Sequence, residues 1–430
     1  MKPRVDVMSK LIVELPVQHL KKGLYISRLD RPWTDSPFLF QGFTIEHDEE
    51  LAQLRELCER VYVEVTIAEA DELLKARNLT KTVHTNHNDS NEPFNVLSNN
   101  LRAHVDLVPA KDPMPLKVEL IKAKAAYGAA RQTVSQIFDR LRRGGGLDVP
   151  LLETVVDSMV ESVFRNREAM CWLARMKIKD DYLYSHSLAT SVWALAFGRH
   201  LGLDKDTLRS VGTGAMLLDI GKTQLPTELL RKADRLELAE WSKIRGHVEL
   251  GLELVQKDPR ADHRMKTMVG THHERMDGSG YPNKFKGDTI PLVGRIAGIV
   301  DCYDAMTSER SYAKAKSTYD AVRELKKLGG IWFQAELVEL FIQAVGVFPT
   351  GTLVELNSGE VGVVIAQNRF RRLRPEVMLI LDAQKTIRED FSAVDLQLCE
   401  ENNTTGNPAL WITQGLEPGA YGIDPTEYFL

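Results

Sequence analysis

The chain has 430 residues, which is too long for one ordinary core and predicts two or three domains. Hydrophobic residues make up 43% and charged residues 27%, as in soluble globular proteins, and 60 acidic against 55 basic residues give a net charge of -5. This balance argues against a protein that coats a nucleic-acid polymer, but it does not exclude one that binds a small nucleotide.

Residues 1–75 predict a small α+β module. Four runs in it resemble strands, at residues 11–15, 23–29, 38–45 and 61–65. Residues 48–58 have helical spacing. Residues 76–150 are expected to form a linker rich in Asn, Asp, Ser and Thr, followed by a connecting helix at 116–142.

Residues 151–345 predict an all-α domain, because nearly every stretch has helical periodicity that glycine or proline interrupts. After Pro349 the pattern changes to that of a β-hairpin with a third strand, which predicts a small β subdomain at 346–395. The tail, 396–430, has little periodicity and is expected to be mobile or loosely docked. The predicted fold class is therefore multidomain and mainly α.

Cysteine usage and hydropathy bear on localisation. The four cysteines are far apart and form no CxxC pair, so we expect buried thiols in a reducing cytoplasm. The sequence shows no run of 18 apolar residues and no signal peptide, so we expect neither secretion nor a membrane span.

The most distinctive stretch is 271–282, in which two adjacent histidines, His272 and His273, lead into an acidic, glycine-rich turn that ends in Gly-Tyr-Pro. On a helix, neighbouring side chains point about 100° apart, which suits two adjacent ligands of one octahedral metal ion. For this stretch alone, a histidine pair at the surface ahead of a loop is the alternative.

Further residues suited to metal ions lie elsewhere in the helical region. His186 and His247 lie in predicted helices, and Asp219 and Asp301 each follow an apolar run, where a carboxylate is costly unless it is paired or bound to a metal. Lys222, three residues after Asp219, would share its helix face and neutralise a phosphate or protonate a leaving oxygen. Each residue alone fits a helix cap or a surface charge, but together they predict a metal centre.

Ligation by imidazole and carboxylate together favours Fe, Mn, Ni, Co or Zn over Ca or Mg. Two such ions that share a carboxylate can activate a bridging water and clamp a phosphodiester. The expected cofactor is one or two divalent transition-metal ions, with Fe or Mn preferred.

The segment from Asp180 to Ala344 resembles an HD-GYP domain, a branch of the HD phosphohydrolases that hydrolyses the bacterial messenger cyclic di-GMP. The matching motifs are His186-Ser187, Asp219-Ile220-Gly221-Lys222, His247 with Gly251, the stretch 271–282, and the run from Asp301 to Tyr312. Residues from Leu11 to about 140 are similar to the uncharacterised module often found ahead of such domains. The expected fold of the helical part is accordingly an HD-type bundle.

The resemblance implies two metal ions that Asp219 bridges. The remaining protein ligands that it implies are His247, His272 and His273 for one ion, and His186 and Asp301 for the other.

The resemblance also implies roles around the substrate. Lys222 would act on the phosphate, together with Asp219 as the catalytic pair, and Tyr281 and Arg310 would contact the nucleotide. Gly280 and Pro282 would shape the loop, which in the family also serves as a surface for protein partners.

The sequence departs from the family pattern at the His-Asp pair, which is Leu218-Asp219 here. Leucine offers no lone pair, so the site with His186 loses one protein ligand. Tyr182 stands where some members place a glutamate that supports a third metal, and Ala313 stands where a cationic residue often assists substrate binding.

Two functions stay open on these grounds. The first is a metal-dependent phosphodiesterase that uses metal-activated hydroxide to hydrolyse cyclic di-GMP to pGpG, to GMP, or to both. The second is a catalytically impaired domain that senses cyclic di-GMP or binds a protein, because of Leu218. Another HD-type phosphohydrolase and a purely structural bundle are further alternatives, and the oligomeric state is open.

Overall fold

A computed structural model describes residues 10–30, 43–45, 48–66, 112–176, 182–232, 234, 236–309, 314–368, 373–401 and 410–425. The chain divides into two compact units, residues 1–92 and residues 93–430. The predicted linker at 76–111 and the start of the strand expected at 38–45 lie outside the described residues. Within the described part, no helix is both long enough and apolar enough to cross a bilayer.

The described residues of the N-terminal unit form a four-stranded sheet and one helix. Its elements are β1 (Lys10–Pro16), β2 (Tyr25–Leu29), β3 (Phe43–Thr44), α1 (Asp48–Leu57) and β4 (Arg60–Thr66). The strands lie in the order β1-β4-β2-β3, and neighbouring strands are antiparallel. Val61 and Val63, which alternate along β4 and so share one face, are fully buried with Leu54 of α1. The predicted α+β module is confirmed.

Helices dominate the second unit as far as residue 345. In chain order they are α2 (Leu116–Arg142), α3 (Val149–Arg165), α4 (Arg167–Arg175), α5 (Tyr182–His200), α6 (Lys205–Met216), α7 (Thr227–Arg231), α8 (Leu238–Arg245), α9 (His247–Gln256), α10 (His263–Thr271), α11 (Leu292–Thr307), α12 (Thr318–Leu328) and α13 (Ala335–Val345). The expectation of a mainly α fold is confirmed.

Helix α5 lies at the centre of this bundle. Every residue from 186 to 200 is buried, and the helix packs against α4, α6, α11 and α13. A helix that is apolar on all sides can be stable in water only if other elements surround it. His186, in the first turns of α5, is therefore carried into the interior.

Helix α2, which was expected to connect two domains, packs into the same core. Ile137 and Phe138 are buried in the hydrophobic cluster that also contains α3 and α4. Near its start, the buried Glu119 carboxylate accepts hydrogen bonds from Ser162 Oγ at 2.7 Å and from the Arg165 guanidinium at 2.6 and 2.8 Å. This ion pair satisfies a charge that would otherwise be costly to bury.

A 3₁₀ segment, Ile220–Gln224, follows α6 and lies against the start of α9. The approach is close, because a Cβ atom on Gly221 would stand 1.9 Å from the His247 carbonyl oxygen and 2.5 Å from the Gly251 nitrogen. Asp219 caps this segment and Lys222 lies three residues later, so the two share one helical face as predicted, although the helix is 3₁₀ rather than α.

The C-terminal part forms a five-stranded antiparallel sheet. Its elements are β5 (Leu353–Leu356), β6 (Val361–Ala366), β7 (Glu376–Leu381), β8 (Ile387–Asp395), α14 (Leu396–Glu401) and β9 (Ile412–Gly415). The strand order is β8-β7-β6-β5-β9. The predicted small β region is confirmed, but the expectation of a loose tail is wrong for β9, which pairs with β5. Its four residues are too few to show an alternating pattern.

The close approach at Gly221 gives a test of how the bundle holds the 3₁₀ segment. We expect Gly221→Ala to lower the free energy of unfolding by about 2–3 kcal/mol or more, because the new methyl group meets backbone atoms that cannot rotate away. Chemical denaturation measures the effect. Gly128→Ala is the matched control: Gly128 lies within α2 with open space around a Cβ atom, so this change should be neutral or slightly stabilising.

Candidate metal centre

The histidine pair lies at the end of α10 rather than within a helix. His272 is the C-terminal cap of that helix, and His273 lies in the following turn. The prediction of two neighbours on one helix is therefore wrong in its local geometry. The two rings nevertheless lie close together, with centroids 4.1 Å apart and planes inclined by 42°.

Backbone carbonyl groups fix the tautomers of two of the histidines. His272 Nδ1 lies 2.9 Å from the Val269 oxygen, and His247 Nδ1 lies 2.7 Å from the Ile244 oxygen. A carbonyl oxygen can only accept, so both Nδ1 atoms carry protons and, in the neutral rings, both Nε2 atoms offer lone pairs. A hydrogen bond of this kind at the remote nitrogen is typical of histidines that bind metals.

Asp219 is a buried carboxylate at the start of the 3₁₀ segment, with 1% exposure. Its Oδ2 lies 2.5 Å from Lys222 Nζ, and its Oδ1 lies 3.2 Å from His247 Nε2. Burial acts to raise the pKa of Asp219, but the Lys222 ammonium and the contact with His247 outweigh it and hold the pKa well below its usual value. The carboxylate is therefore ionised.

Four side chains converge on one point: Asp219, His247, His272 and His273. One ligand atom of each lies within 4.8 Å of those of the others. His247 Nε2 and His272 Nε2 are only 3.4 Å apart, so their lone pairs face each other.

The donor set fits a transition-metal ion. Burial lowers the pKa of His272 to about 4 and, with the neighbouring His272, that of His273 well below its usual value. Both rings are thus held neutral, which is the form that binds metals. Three imidazoles and one ionised carboxylate suit Fe, Mn, Ni, Co or Zn better than Ca or Mg.

His186 and Asp301 lie beside this cluster but are engaged with each other. His186 Nε2 lies 3.1 Å from Asp301 Oδ1 and 3.5 Å from Asp219 Oδ2, and His186 Nδ1 lies 2.7 Å from Asp304 Oδ2. Burial disfavours a charged His186, but the hydrogen bonds to Asp301 and Asp304 outweigh it and raise its pKa to about 9. Both ring nitrogens therefore already have carboxylate partners.

Leu218 is buried in the hydrophobic core with 1% exposure, next to Asp219 in the chain. It adds no polar atom to the group around His186. Tyr182 stacks on the His186 ring, with centroids 5.3 Å apart and planes 13° from parallel.

The loop after the histidine pair is held by Glu274. Its buried carboxylate accepts hydrogen bonds from the backbone nitrogens of Asn283 at 2.7 Å and Phe285 at 2.9 Å. Gly280 lies so close to the preceding turn that a Cβ atom would stand 2.5 Å from the His273 carbonyl oxygen. Because the loop closes tightly, the Tyr281 ring lies against His273, with centroids 4.7 Å apart. The peptide bond between Tyr281 and Pro282 is cis.

The structure brings all six predicted metal ligands together with Lys222, Tyr281, Gly280 and Pro282, whereas Arg310 and Ala313 lie outside the described residues. Three further residues contribute to the site. Asp304 faces His186, Glu274 closes the loop, and the Arg245 guanidinium carbon lies 5.1 Å from the centre of the Tyr281 ring. Asp304 lies in the matching run from Asp301 to Tyr312 and Glu274 in the acidic turn of the stretch 271–282, so both had a signal in the sequence, whereas Arg245 had none.

Three family models match the chain. The model described as an HD domain matches residues 166–337, the model described as a domain of unknown function, DUF3391, matches residues 12–150, and the model described as a KOW domain associated with HD domain matches residues 353–403.

Curated relatives include several phosphodiesterases. A cyclic di-GMP phosphodiesterase of Pseudomonas aeruginosa is 29% identical over 388 residues, 90% of this chain and 89% of its own length. A 3'3'-cGAMP-specific phosphodiesterase of Vibrio cholerae is 36% identical over 33% of this chain and 27% of its own. Among solved structures, an HDG"Y"P protein from Bdellovibrio bacteriovorus aligns over 77% of this chain and 98% of its own, with 15% identity and a TM-score of 0.44.

The contacts of Glu274 predict how firmly the loop is held. We expect Glu274→Gln to lower the free energy of unfolding by about 1–3 kcal/mol, because an amide NH2 group would face a backbone N–H and leave it unsatisfied. Hydrogen exchange at Asn283 and Phe285 should quicken. Asp277→Asn is the control, because the exposed Asp277 uses one oxygen, Oδ1, for both contacts with Ser279, and an asparagine oxygen can keep them. Equal exchange rates in the two variants would contradict the role of Glu274.

Proposed function

We propose that this chain, which contains an HD domain and resembles the HD-GYP family, is a metal-dependent phosphodiesterase that hydrolyses cyclic di-GMP. The observation that carries the proposal is the convergence of Asp219, His247, His272 and His273 on one point beside a lysine. The relative from Pseudomonas aeruginosa, which aligns along 90% of the chain, supports cyclic di-GMP as the substrate.

We propose that Asp219, His247, His272 and His273 hold one divalent ion, and that this ion is Fe or Mn among the transition metals that the donor set suits. Such an ion, when bound, lowers the pKa of a coordinated water and polarises a phosphate oxygen. The protein's own contribution is to hold the imidazoles in one tautomer and to keep Asp219 ionised.

Lys222 is the group that we assign to the phosphate. Its side chain is 21% exposed, whereas its partner Asp219 is buried, so the ammonium lies at the boundary between the cluster and solvent. From there Nζ can donate a hydrogen bond to a phosphate oxygen and stabilise the charge that develops as the leaving oxygen departs. Tyr281, which lies against His273, forms an adjacent wall for the nucleotide, and Arg310 is assigned to the same role from the family resemblance alone.

This chain differs from the family that it resembles in the ligands that are available for a second metal ion. The His186 nitrogens are taken by Asp301 and Asp304, and Leu218 contributes no ligand. We therefore propose that the chain binds one ion at the four-residue cluster and that His186 and Asp301 act as an ion pair.

The same observation favours a second candidate function. If hydrolysis needs two ions, the domain binds cyclic di-GMP, or a protein partner at the loop 278–282, without turnover.

For the active enzyme the proposed products are pGpG, GMP or both. The buried free thiol of Cys171 fits a reducing compartment and supports a cytoplasmic location.

A turnover assay separates the two functions. We expect protein loaded with Mn²⁺ or Fe²⁺ to convert cyclic di-GMP to a linear or mononucleotide product, and Asp219→Asn to lose about three orders of magnitude in kcat and most of its bound metal. Chromatography of the products and metal analysis provide the readouts. Tight binding of cyclic di-GMP by the wild type without any product would favour the sensor instead.

The role of Leu218 has its own test. We expect Leu218→His to raise the bound metal from one ion to two and to raise turnover about ten- to a hundredfold, because the imidazole restores a ligand. Leu218→Met is the control, since it keeps the buried volume but offers a soft thioether that suits neither Mn nor Fe. Unchanged turnover and metal content in Leu218→His would show that the leucine does not limit the site.

A further inference from the structure

Helix α8, which ends two residues before His247, exposes apolar side chains beside the metal centre. None of its residues is buried, Leu238 is 91% exposed and Trp241 is 47% exposed. Leu238, Trp241 and Arg245 follow one another at spacings of three and four residues, so they share one face of the helix. The part of the chain that the structure describes leaves this face uncovered.

A continuous stack joins this face to the metal centre. The His273 ring lies against Tyr281, the Arg245 guanidinium carbon lies 5.1 Å from the Tyr281 ring centre, and the same carbon lies 6.0 Å from the Trp241 ring centre. The guanidinium therefore contacts both aromatic rings, as cation–π geometry allows. The stack runs from a metal ligand outwards to an exposed indole.

The charge of Arg245 is available to a ligand. No carboxylate among the described residues lies within 4 Å of its guanidinium, although the whole chain carries a net charge of -5. A planar guanidinium stacks on nucleobases as well as on aromatic rings and also attracts phosphate. A nucleotide offers both a flat π surface and a negative charge.

We propose that Trp241 and Arg245 form a stacking platform for a purine base of the cyclic dinucleotide. The inference rests on the proposed function, because it assumes that a phosphate of the same molecule lies at the cluster. Trp241 stands six positions before His247, and a helical rise of about 1.5 Å per residue makes this separation about 9 Å, so a base and its phosphate can reach both places. An apolar peptide would cover Leu238 and Trp241 but would bury the Arg245 charge without a partner, which is costly.

The test measures affinity and turnover separately. Equilibrium dialysis of cyclic di-GMP against the full-length, metal-stripped protein gives Kd without hydrolysis, and the Mn²⁺-loaded protein gives KM and kcat. We expect Trp241→Ala to raise Kd and KM about five- to a hundredfold, the usual loss for a stacked base, while kcat changes less than about threefold. Trp241→Phe should keep most of the affinity, and Arg245→Lys should lose affinity because it keeps the charge but not the plane.

Trp411→Ala is the matched control. Trp411 is 43% exposed, close to the 47% of Trp241, but it lies next to β9 in the C-terminal sheet, so its removal should leave Kd and KM unchanged. Equal metal content and circular dichroism confirm that each variant is folded.

Two outcomes overturn the platform. The first is an unchanged Kd and KM in both Trp241→Ala and Arg245→Ala, and the second is a fall in kcat alone, which would mark a structural role. A wild type that binds cyclic di-GMP without hydrolysing it overturns the proposed phosphodiesterase but not the platform, because Kd still decides the latter. A wild type that neither binds nor hydrolyses the dinucleotide overturns both.

Discussion

The helical unit is arranged around the ionised carboxylate of Asp219. It is buried, and a buried carboxylate without compensation destabilises a fold strongly. Two cationic groups compensate it, Lys222 on the 3₁₀ segment and the protonated His186 on α5, and His247 at the start of α9 lies beside them, with Nε2 3.2 Å from Asp219 Oδ1. The need to bring these groups around one charge explains why Gly221 must allow the 3₁₀ segment to touch α9, since any larger residue would separate them.

The surroundings of Asp219 are not symmetrical. On one side, the Nε2 atoms of His247 and His272 face each other. In the neutral rings the proton is on Nδ1, so each Nε2 keeps its lone pair. On the other side, His186 is already paired with Asp301 and Asp304, and Trp193 Nε1 donates to the second oxygen of Asp304 at 3.0 Å. One side thus has unused ligand atoms, whereas the other has satisfied ones. The leucine at position 218 fits this division, because its apolar side chain needs no partner in the core.

The sequence predicted the fold class well, because the helical spacing of α2 and α3 and the turn chemistry between β5 and β6 are local signals. It predicted the site only in part. His186 and Asp304 are 118 residues apart, and no periodicity indicates that they touch. The grouping of ligands came from the family resemblance, and it remains a prediction about which atoms bind metal. Arg245 gave no signal at all, since an exposed arginine on a charged helix is ordinary until the structure places it on Tyr281.

The loop from 274 to 285 links the chemistry of the site to its recognition surface. The Glu274 carboxylate, which is itself buried, fixes the backbone at Asn283 and Phe285, and that closure places Tyr281 between His273 and Arg245. A shift of the loop would therefore move Tyr281 relative to His273, a proposed metal ligand, and relative to the exposed Arg245 at the same time. The Tyr281 ring is held between His273 and Arg245, so it cannot move relative to one of them alone. The geometry of the four-residue cluster and the affinity of the α8 surface must therefore change together.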